Sequence, residues 1–386
     1  MEVDWSQLNP ELLETIAKKL KSYADYFRFR SVCRNWKSSV PKTPRPLPCQ
    51  LPWLMLPQNP NRLNYRAFFN LSNNKVLFLH LPEAASNGKR RCGSSHGWLV
   101  LLDETPVIFL LNPLTRARIY LPPLNTFPNV LNFSFSVVGR EYSLRTNYGE
   151  SYRHSLRDMR DTFIKKVIVS SNPSEDSDFI ALAILNHTED LAFCRKGDKC
   201  WKFIDDAQSY SEDVIYNNFD KLFYAVNKYG SVAVCDVNGE SPKVSIIEAP
   251  EQQFRGDMQY LASWDNGDGE FLLISRYLEI QFDVELVEFD GIYRTVKFEV
   301  FKLDLRGSRR WEKVRSLGDR MVFIGENSSL CLAASDFLGC KGNCIYFTDD
   351  FSEINYDGVV GEHDLGVFSL DDGDTECPLQ MVDNGK

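Results

Sequence analysis

Two rhythms of apolar and polar residues divide this chain of 386 residues. Near the N-terminus Leu12, Leu13, Ile16, Ala17 and Leu20 recur three and four apart, with Glu14, Lys18, Lys19 and Lys21 outside that stripe, the spacing of an amphipathic helix. Asn9 is a suitable cap and Pro10 fits the first turn, where a missing N–H is no loss, so a helix is predicted from Pro10 to Lys21. A second short helix is predicted from Ala24 to Arg30, and a third piece gathers Val32, Cys33, Trp36 and Val40 before Pro41 ends it. Three helices in about forty residues bury too little apolar surface to stand alone, so they must lean on the rest of the chain or on another protein.

Beyond residue 41 the pattern changes. The seven prolines from Pro41 to Pro60 exclude a helix and disfavour a central strand. Leu51, Trp53, Leu54, Met55 and Leu56 nevertheless give this stretch enough apolar surface to pack on a larger body. From Tyr65 onward, short apolar or alternating runs read as strands, among them Val76 to Leu81, Trp98 to Leu102, Val107 to Leu111, Phe179 to Leu185, Lys221 to Val226, Ser231 to Asp236, Phe271 to Ser275 and Asn343 to Phe347. Asn- and Gly-rich turns close them, as at Asn73-Asn74, Asn238-Gly239, Asn266-Gly267 and Asp357-Gly358. Edge strands must be hidden, which favours a closed or radial arrangement. A degenerate unit recurs near residues 95–122, 164–205, 212–249, 258–317 and 320–370, and residues 65–81 are expected to join the C-terminal strands as a sixth. The predicted fold is therefore mainly β, a three-helix module followed by a β-propeller of about six blades, with five or seven also compatible.

Two sets of motifs carry a resemblance. The string L-x-P-E-L-L-x-x-I-x-x-x-L from Leu8, followed by D-x-x-R-F-R-S-V-C-R-x-W-K-S from Asp25, resembles the F-box. Asn9 stands where many F-boxes have a second proline or a similar turn residue, and Tyr26-Phe27 replace a pair of small aliphatics. The resemblance implies docking on the Skp-type adaptor of a cullin–RING ubiquitin ligase through Leu8, Pro10, Leu12, Leu13, Ile16, Leu20, Val32, Cys33 and Trp36. The phrases G-S-S-H-G-W-L-V-L-L-D from Gly93, L-L-N-P-L-T-R-A-R-I-Y-L-P-P-L from Leu110, D-V-I-Y-N-N from Asp213, F-Y-A-V-N from Phe223 and C-K-G-N-C-I-Y-F-T-D-D from Cys340 are similar to those of a plant F-box family with a KIB-type β-propeller. That family implies an F-box over residues 4–43, a packed proline-rich linker over 44–64, a propeller over 65–374 and a tail over 375–386. It also implies a non-catalytic substrate receptor that holds a target protein for ubiquitination. Leu131 to Phe163 fits the family least well and reads as an inserted, Arg-rich loop. The stretches from Leu131 to Arg160 and from Leu278 to Arg294 are the expected recognition loops.

Charge narrows the partners. Residues 1–45 hold nine Lys and Arg against five Asp and Glu, which leaves 35 against 48, or −13, for the rest of a chain whose net charge is −9. Such a surface repels phosphate backbones, so no nucleic-acid partner is expected. The basic clusters Lys89-Arg90-Arg91 and Arg306 to Arg310 read as solvated loops. No run of eighteen apolar residues and no leader pattern is present, so membrane spanning and secretion are not expected. Ten scattered cysteines, mostly in apolar runs, fit a reducing compartment, the nucleus or the cytoplasm.

Enzyme chemistry finds no motif. Phosphate-binding glycine loops, a nucleophile elbow and H-E-x-x-H are absent, and the five histidines lie far apart in sequence. Cys340 and Cys344, with Cys331 and His363 at a distance, lack the usual C-x-x-C spacing, and no metal or cofactor is expected. Two other readings stay open: an F-box protein that binds or sequesters outside a ligase, and a propeller that binds a small ligand.

Overall fold

A computed structural model describes residues 4–20, 23–41, 51–57, 59, 61–71, 73–85, 88–252, 255–264, 269–281, 292–307, 310–337, 340–350 and 364–376. The chain divides into two compact units, Met1–Leu54 with Asn70–Lys75, and Met55–Phe69 with Val76–Lys386. Most of the predicted linker prolines, the Asn266-Gly267 and Asp357-Gly358 turns, His363, and all but the first two residues of the predicted tail lie outside the described residues.

The first unit contains helices α1 (Pro10–Ala17), α2 (Tyr23–Ser31) and α3 (Arg34–Ser39). Asn9 caps α1 as predicted, its side chain accepting the Glu11 N–H at 2.9 Å, and Pro10 occupies the first turn. The helix ends earlier than its pattern suggested, at Ala17, and Lys21 lies outside the described residues.

The second unit is built from five larger sheets. Sheet I comprises Lys89–Ser95, Trp98–Asp103, Ile108–Leu111 and Arg118–Tyr120. Sheet II comprises Ile164–Val169, Ile180–Leu185, Leu191–Arg195 and Lys202–Phe203. Sheet III comprises Asp213–Asn217, Leu222–Val226, Val232–Asp236 and Lys243–Ile247. Sheet IV comprises Met258–Ser263, Glu270–Gln281, Ile292–Asp304 and Trp311–Val314. These four are antiparallel meanders in chain order. Sheet V departs from that order, running Leu330–Ala333, Arg320–Ile324, Cys344–Phe347, Gly366–Ser369 and Thr375–Glu376, with Met321 paired in parallel with Cys344.

Alternation along each strand explains the packing. In sheet II, Val167, Ala181, Ala183 and Cys194 face the apolar cluster shared with sheet I, while Ile168, Leu182, Ile184 and Phe193 face the one shared with sheet III. Further clusters fill the spaces between sheets III and IV and between IV and V. A strand buried on both faces needs apolar residues at every position, which is why Ile180 to Leu185 reads as an unbroken run. Polar contacts close the ring between V and I, where the Ser328 N–H donates to the Ser94 carbonyl at 3.0 Å and Arg91 pairs with Glu326 at 3.3 Å. At the seam of sheets I and II the backbone of Gly93, with φ of 140°, comes so near Val167 that a Cβ would lie 2.5 Å from its carbonyl oxygen.

The five sheets coincide with the five repeat units predicted above. The sixth does not form: Tyr65–Asn70 and Lys75–His80 belong to a three-stranded sheet that contains no C-terminal strand, because Gly366–Ser369 and Thr375–Glu376 extend sheet V instead. Nor is 131–163 a loop. It holds a three-stranded sheet, Val130–Phe133, Tyr142–Arg145 and Ser151–His154, followed by α4 (Leu156–Thr162), and Tyr142, Leu144 and Met159 anchor it in the sheet I–II core. Lys89-Arg90-Arg91 likewise lies in a sheet I strand, where Arg90 donates to the Ile164 carbonyl at 2.8 Å. Arg306 lies in a turn and stacks over Phe219, 4.5 Å from the ring centre, while residues 308–309 fall outside the description.

Candidate functional site

Helix α1 presents two apolar seams, not one. Successive residues are about 100° apart on a helix, so Leu13 and Ala17 point one way and Leu12 and Ile16 another. Leu13, with no exposed surface, and Ala17 pack with Tyr26, Phe29 and Val40 into the core of the small unit. Leu8, Leu20 and Trp36 lie half-buried against that core, and the Trp36 ring tilts over Phe29 with centroids 4.4 Å apart. Cys33 caps α3 through its Sγ, which accepts the Trp36 N–H at 3.5 Å.

Further hydrogen bonds fix the ends of the unit. Trp36 Nε1 donates to the Trp5 carbonyl at 2.9 Å, Asn35 Nδ2 donates to the Ser6 and Leu8 carbonyls, and the Tyr26 hydroxyl donates to the Pro41 carbonyl at 2.8 Å.

What remains outside is a set of large apolar side chains: Leu12 is 56% exposed, Ile16 41% and Val32 58%, beside an exposed Pro10. Trp5, 63% exposed, belongs with them and was missed, because it precedes the helical stripe and is held by a 3-10 turn that Asp4 caps. Leu13 departs from the predicted docking set, since the core of its own unit encloses it completely.

In the second unit the charged side chains near the ring centre are occupied with one another. Asp213, fully buried, accepts Lys166 Nζ at 2.6 Å and the Val214 N–H on one oxygen, and the Leu261 N–H and Ser329 hydroxyl on the other. It thereby ties together sheets II, III, IV and the chain entering V. Arg276, equally buried, donates to Thr295 Oγ1, Tyr260 Oη, the Thr348 carbonyl, Asp350 and Asp364, and lies over the Phe347 ring. Burial pushes the Asp350 carboxyl up to about 6, and the Arg276 charge works against that rise.

The histidines are less scattered than the sequence implies: His154 stacks on His187 with centroids 5.4 Å apart, and Tyr152 lies 5.0 Å from His154. Burial first, and the neighbouring ring second, hold His154 below the usual imidazole range. Cys331, Cys340 and Cys344 are free thiols, and among the described residues no group of three ligating side chains is placed to hold a metal. The predicted recognition stretch at Leu278 to Arg294 lies partly outside the described residues, since residues 282–291 are not among them.

This pairing of a small helical unit with a ring of β-sheets is what the family models match. An F-box domain model matches residues 5–45, and a KIB1-4 beta-propeller model matches residues 68–369. The chain belongs to the F-box proteins that carry a KIB1-4 β-propeller. F-box protein SKIP23 of Arabidopsis thaliana is 32% identical over all of this chain and 93% of its own length. F-box only protein 7, from the same plant, is 28% identical over 90% of this chain and 85% of its own. Among solved structures, the β-propeller domain of Myceliophteria thermophila Cps50 (Swd1) is 9% identical, covering 86% of each chain with a TM-score of 0.32. F-box proteins are in general adaptor subunits and not enzymes, and F-box domains in general bind Skp-type adaptors.

Proposed function

We propose that this protein is the substrate-recognition subunit of an SCF-type ubiquitin ligase. The F-box docks on a Skp-type adaptor, and through it on cullin, while the propeller holds a target protein for ubiquitination and proteasomal degradation. The observation that carries this reading is the outer seam of α1: Leu12 and Ile16 stay exposed although the inner seam of the same helix is fully packed. Contiguous exposed apolar side chains on a folded unit mark a surface that a partner covers. The chain's own part in catalysis is proximity, since a tethered target meets the ubiquitin-loaded enzyme at a raised effective concentration.

Eight free cysteines among the described residues support a nuclear or cytoplasmic setting. No helix among the described residues is long and apolar enough to cross a membrane, and the acidic balance supports a protein partner over a nucleic acid.

The test is co-expression of the full chain with a plant Skp-type adaptor and cullin, followed by size-exclusion chromatography. A complex of all three components is expected, and Leu12→Asp with Ile16→Asp should release both partners. A complex that survives the two charges overturns the docking surface. An adaptor complex that never takes up cullin overturns the ligase reading in favour of a binding or sequestering role.

A further inference from the structure

The segment between sheets I and II distributes its charge differently from the rest of its unit. Within residues 131–163 there are five arginines against four carboxylates, in a chain that totals −13 beyond residue 45. The carboxylates are largely turned to internal work. Glu141 is buried and accepts the Gly139 and Leu156 N–H groups at 2.8 and 3.1 Å. Asp158 completes the capping box of α4 with Ser155, and Asp161 pairs with Arg160. Glu150 is exposed, in the turn between the second and third strands.

The register of the three strands decides which side chains face outward. Tyr142, Leu144, Val130 and Phe133 share the inner face with the core. Ser143 pairs with Arg153, and Arg145 with Ser151, so the opposite face carries Arg145 and Arg153 beside serines and Asn132 and no carboxylate. The turn 134–141 adds Phe135, Val137 and Val138, exposed by 58%, 44% and 89%, and Arg140 beside them.

We propose that this outward face and its apolar turn are where the target docks, and that the target offers an acidic, extended segment carrying bulky apolar side chains. The inference rests on the receptor reading and names the chemistry of the partner. Guanidinium forks match carboxylates in pairs, and the exposed turn supplies the apolar anchorage that arginines alone lack. A short acidic peptide meets only this local positive patch, whereas a nucleic acid would also meet the field of the surrounding acidic unit.

The experiment uses the full chain in complex with its adaptor, titrated by fluorescence anisotropy. The probe is a labelled peptide in which Phe and Leu alternate with Asp and Glu. The controls are one peptide with Gln and Ser in place of its acids, one with Ser in place of its Phe and Leu, and a single-stranded RNA of similar length.

The acidic apolar peptide should bind best, and Arg145→Glu with Arg153→Glu should weaken it about tenfold, as the loss of two charge-assisted contacts requires. Phe135→Ser with Val138→Ser should weaken it about fivefold, a smaller apolar loss from side chains already in solvent. Unchanged thermal midpoints for both variants show that neither effect comes from unfolding. Equal binding of the neutral peptide, tighter binding of the RNA, or no binding at millimolar peptide overturns the proposal. So does concentration-dependent self-association that the arginine variant abolishes, since the occupant is then a second copy. The adaptor complex is scored on the same samples: its loss counts against the receptor reading, and its retention with no peptide discrimination overturns this inference alone.

Discussion

Replacing Leu12 and replacing Leu13 should break different things, although the two are neighbours in sequence and both match the F-box pattern. Leu12 and Ile16 are about half exposed, at 56% and 41%. Covering a large aliphatic side chain completely is worth about 1.5–3 kcal/mol, so closing the exposed half of each contributes about 1 kcal/mol to docking. The double change Leu12→Ala with Ile16→Ala should therefore weaken adaptor binding by about 2 kcal/mol, or roughly thirtyfold in Kd. Folding of the unit should be nearly unaffected, since exposed substitutions usually cost within about 0.5 kcal/mol.

Leu13 has no exposed surface and touches a core of only a few side chains. Truncating such a leucine costs about 2–5 kcal/mol, comparable with all the stability that so small a core provides. Leu13→Ala should thus collapse hydrogen-exchange protection across residues 10–40 of the full chain and lose the adaptor as a consequence. Titration calorimetry with the purified adaptor, run beside hydrogen exchange on the same proteins, separates the two outcomes. A Leu13→Ala protein with normal protection and affinity refutes the division into inner and outer seams, as does a Leu12/Ile16 variant that binds within threefold of the wild type.

Other changes test the propeller. Asp213→Ala strips Lys166, the Leu261 N–H and Ser329 of their shared acceptor; an unpaired buried charge costs about 3–5 kcal/mol, so calorimetry should show the propeller transition about 10 °C lower. Gly93→Ala would set a Cβ 2.5 Å from the Val167 carbonyl in a backbone conformation that side chains avoid, and a urea midpoint should fall by the equivalent of about 2 kcal/mol or more. Glu83 accepts hydrogen bonds from Arg116 and Arg118; burial raises its pKa, but the two guanidinium groups outweigh it and hold the carboxyl at about 2. Since the folded value lies below the unfolded one, this stabilisation is complete above about pH 4.5 and drains away as the pH falls toward 2, by up to about 3 kcal/mol. Urea midpoints from pH 5 to 2.5 should fall more steeply in the wild type than in Glu83→Gln, and parallel slopes would count against the assignment.

Which parts of this molecule were legible in its sequence follows from the range of the forces involved. Strands buried on both faces, such as Ile180 to Leu185, announce themselves because every position must be apolar. The five repeat units were therefore visible with nearly their true limits. The edges of the pattern were not. Lys89-Arg90-Arg91 reads as a loop because its partners, the Ile164 carbonyl and Glu326, lie 74 and 235 residues away. Asp213 and Arg276 look like surface charges for the same reason, their partners being 47 and 74 residues distant. The stacking of His154 on His187 is equally invisible along the chain. In the F-box the apolar stripe was read correctly as a stripe, but only packing tells which of two adjacent seams stays outside.

One consequence bears on function. A charge that looks solvated in sequence and proves to be paired inside the ring, as at Asp213 or Arg276, is already committed to holding sheets together and is a poor candidate for recognition. The outer sheet reverses that logic: its carboxylates are taken up by a turn, a helix cap and a neighbouring arginine, and its exposed arginines are left facing solvent. Charges that contribute little to stability at an exposed position are the ones a partner can engage without cost to the fold. Exchanging Arg145 and Arg153 should accordingly leave the thermal midpoint unchanged while altering target binding, whereas exchanging Asp213 should do the reverse.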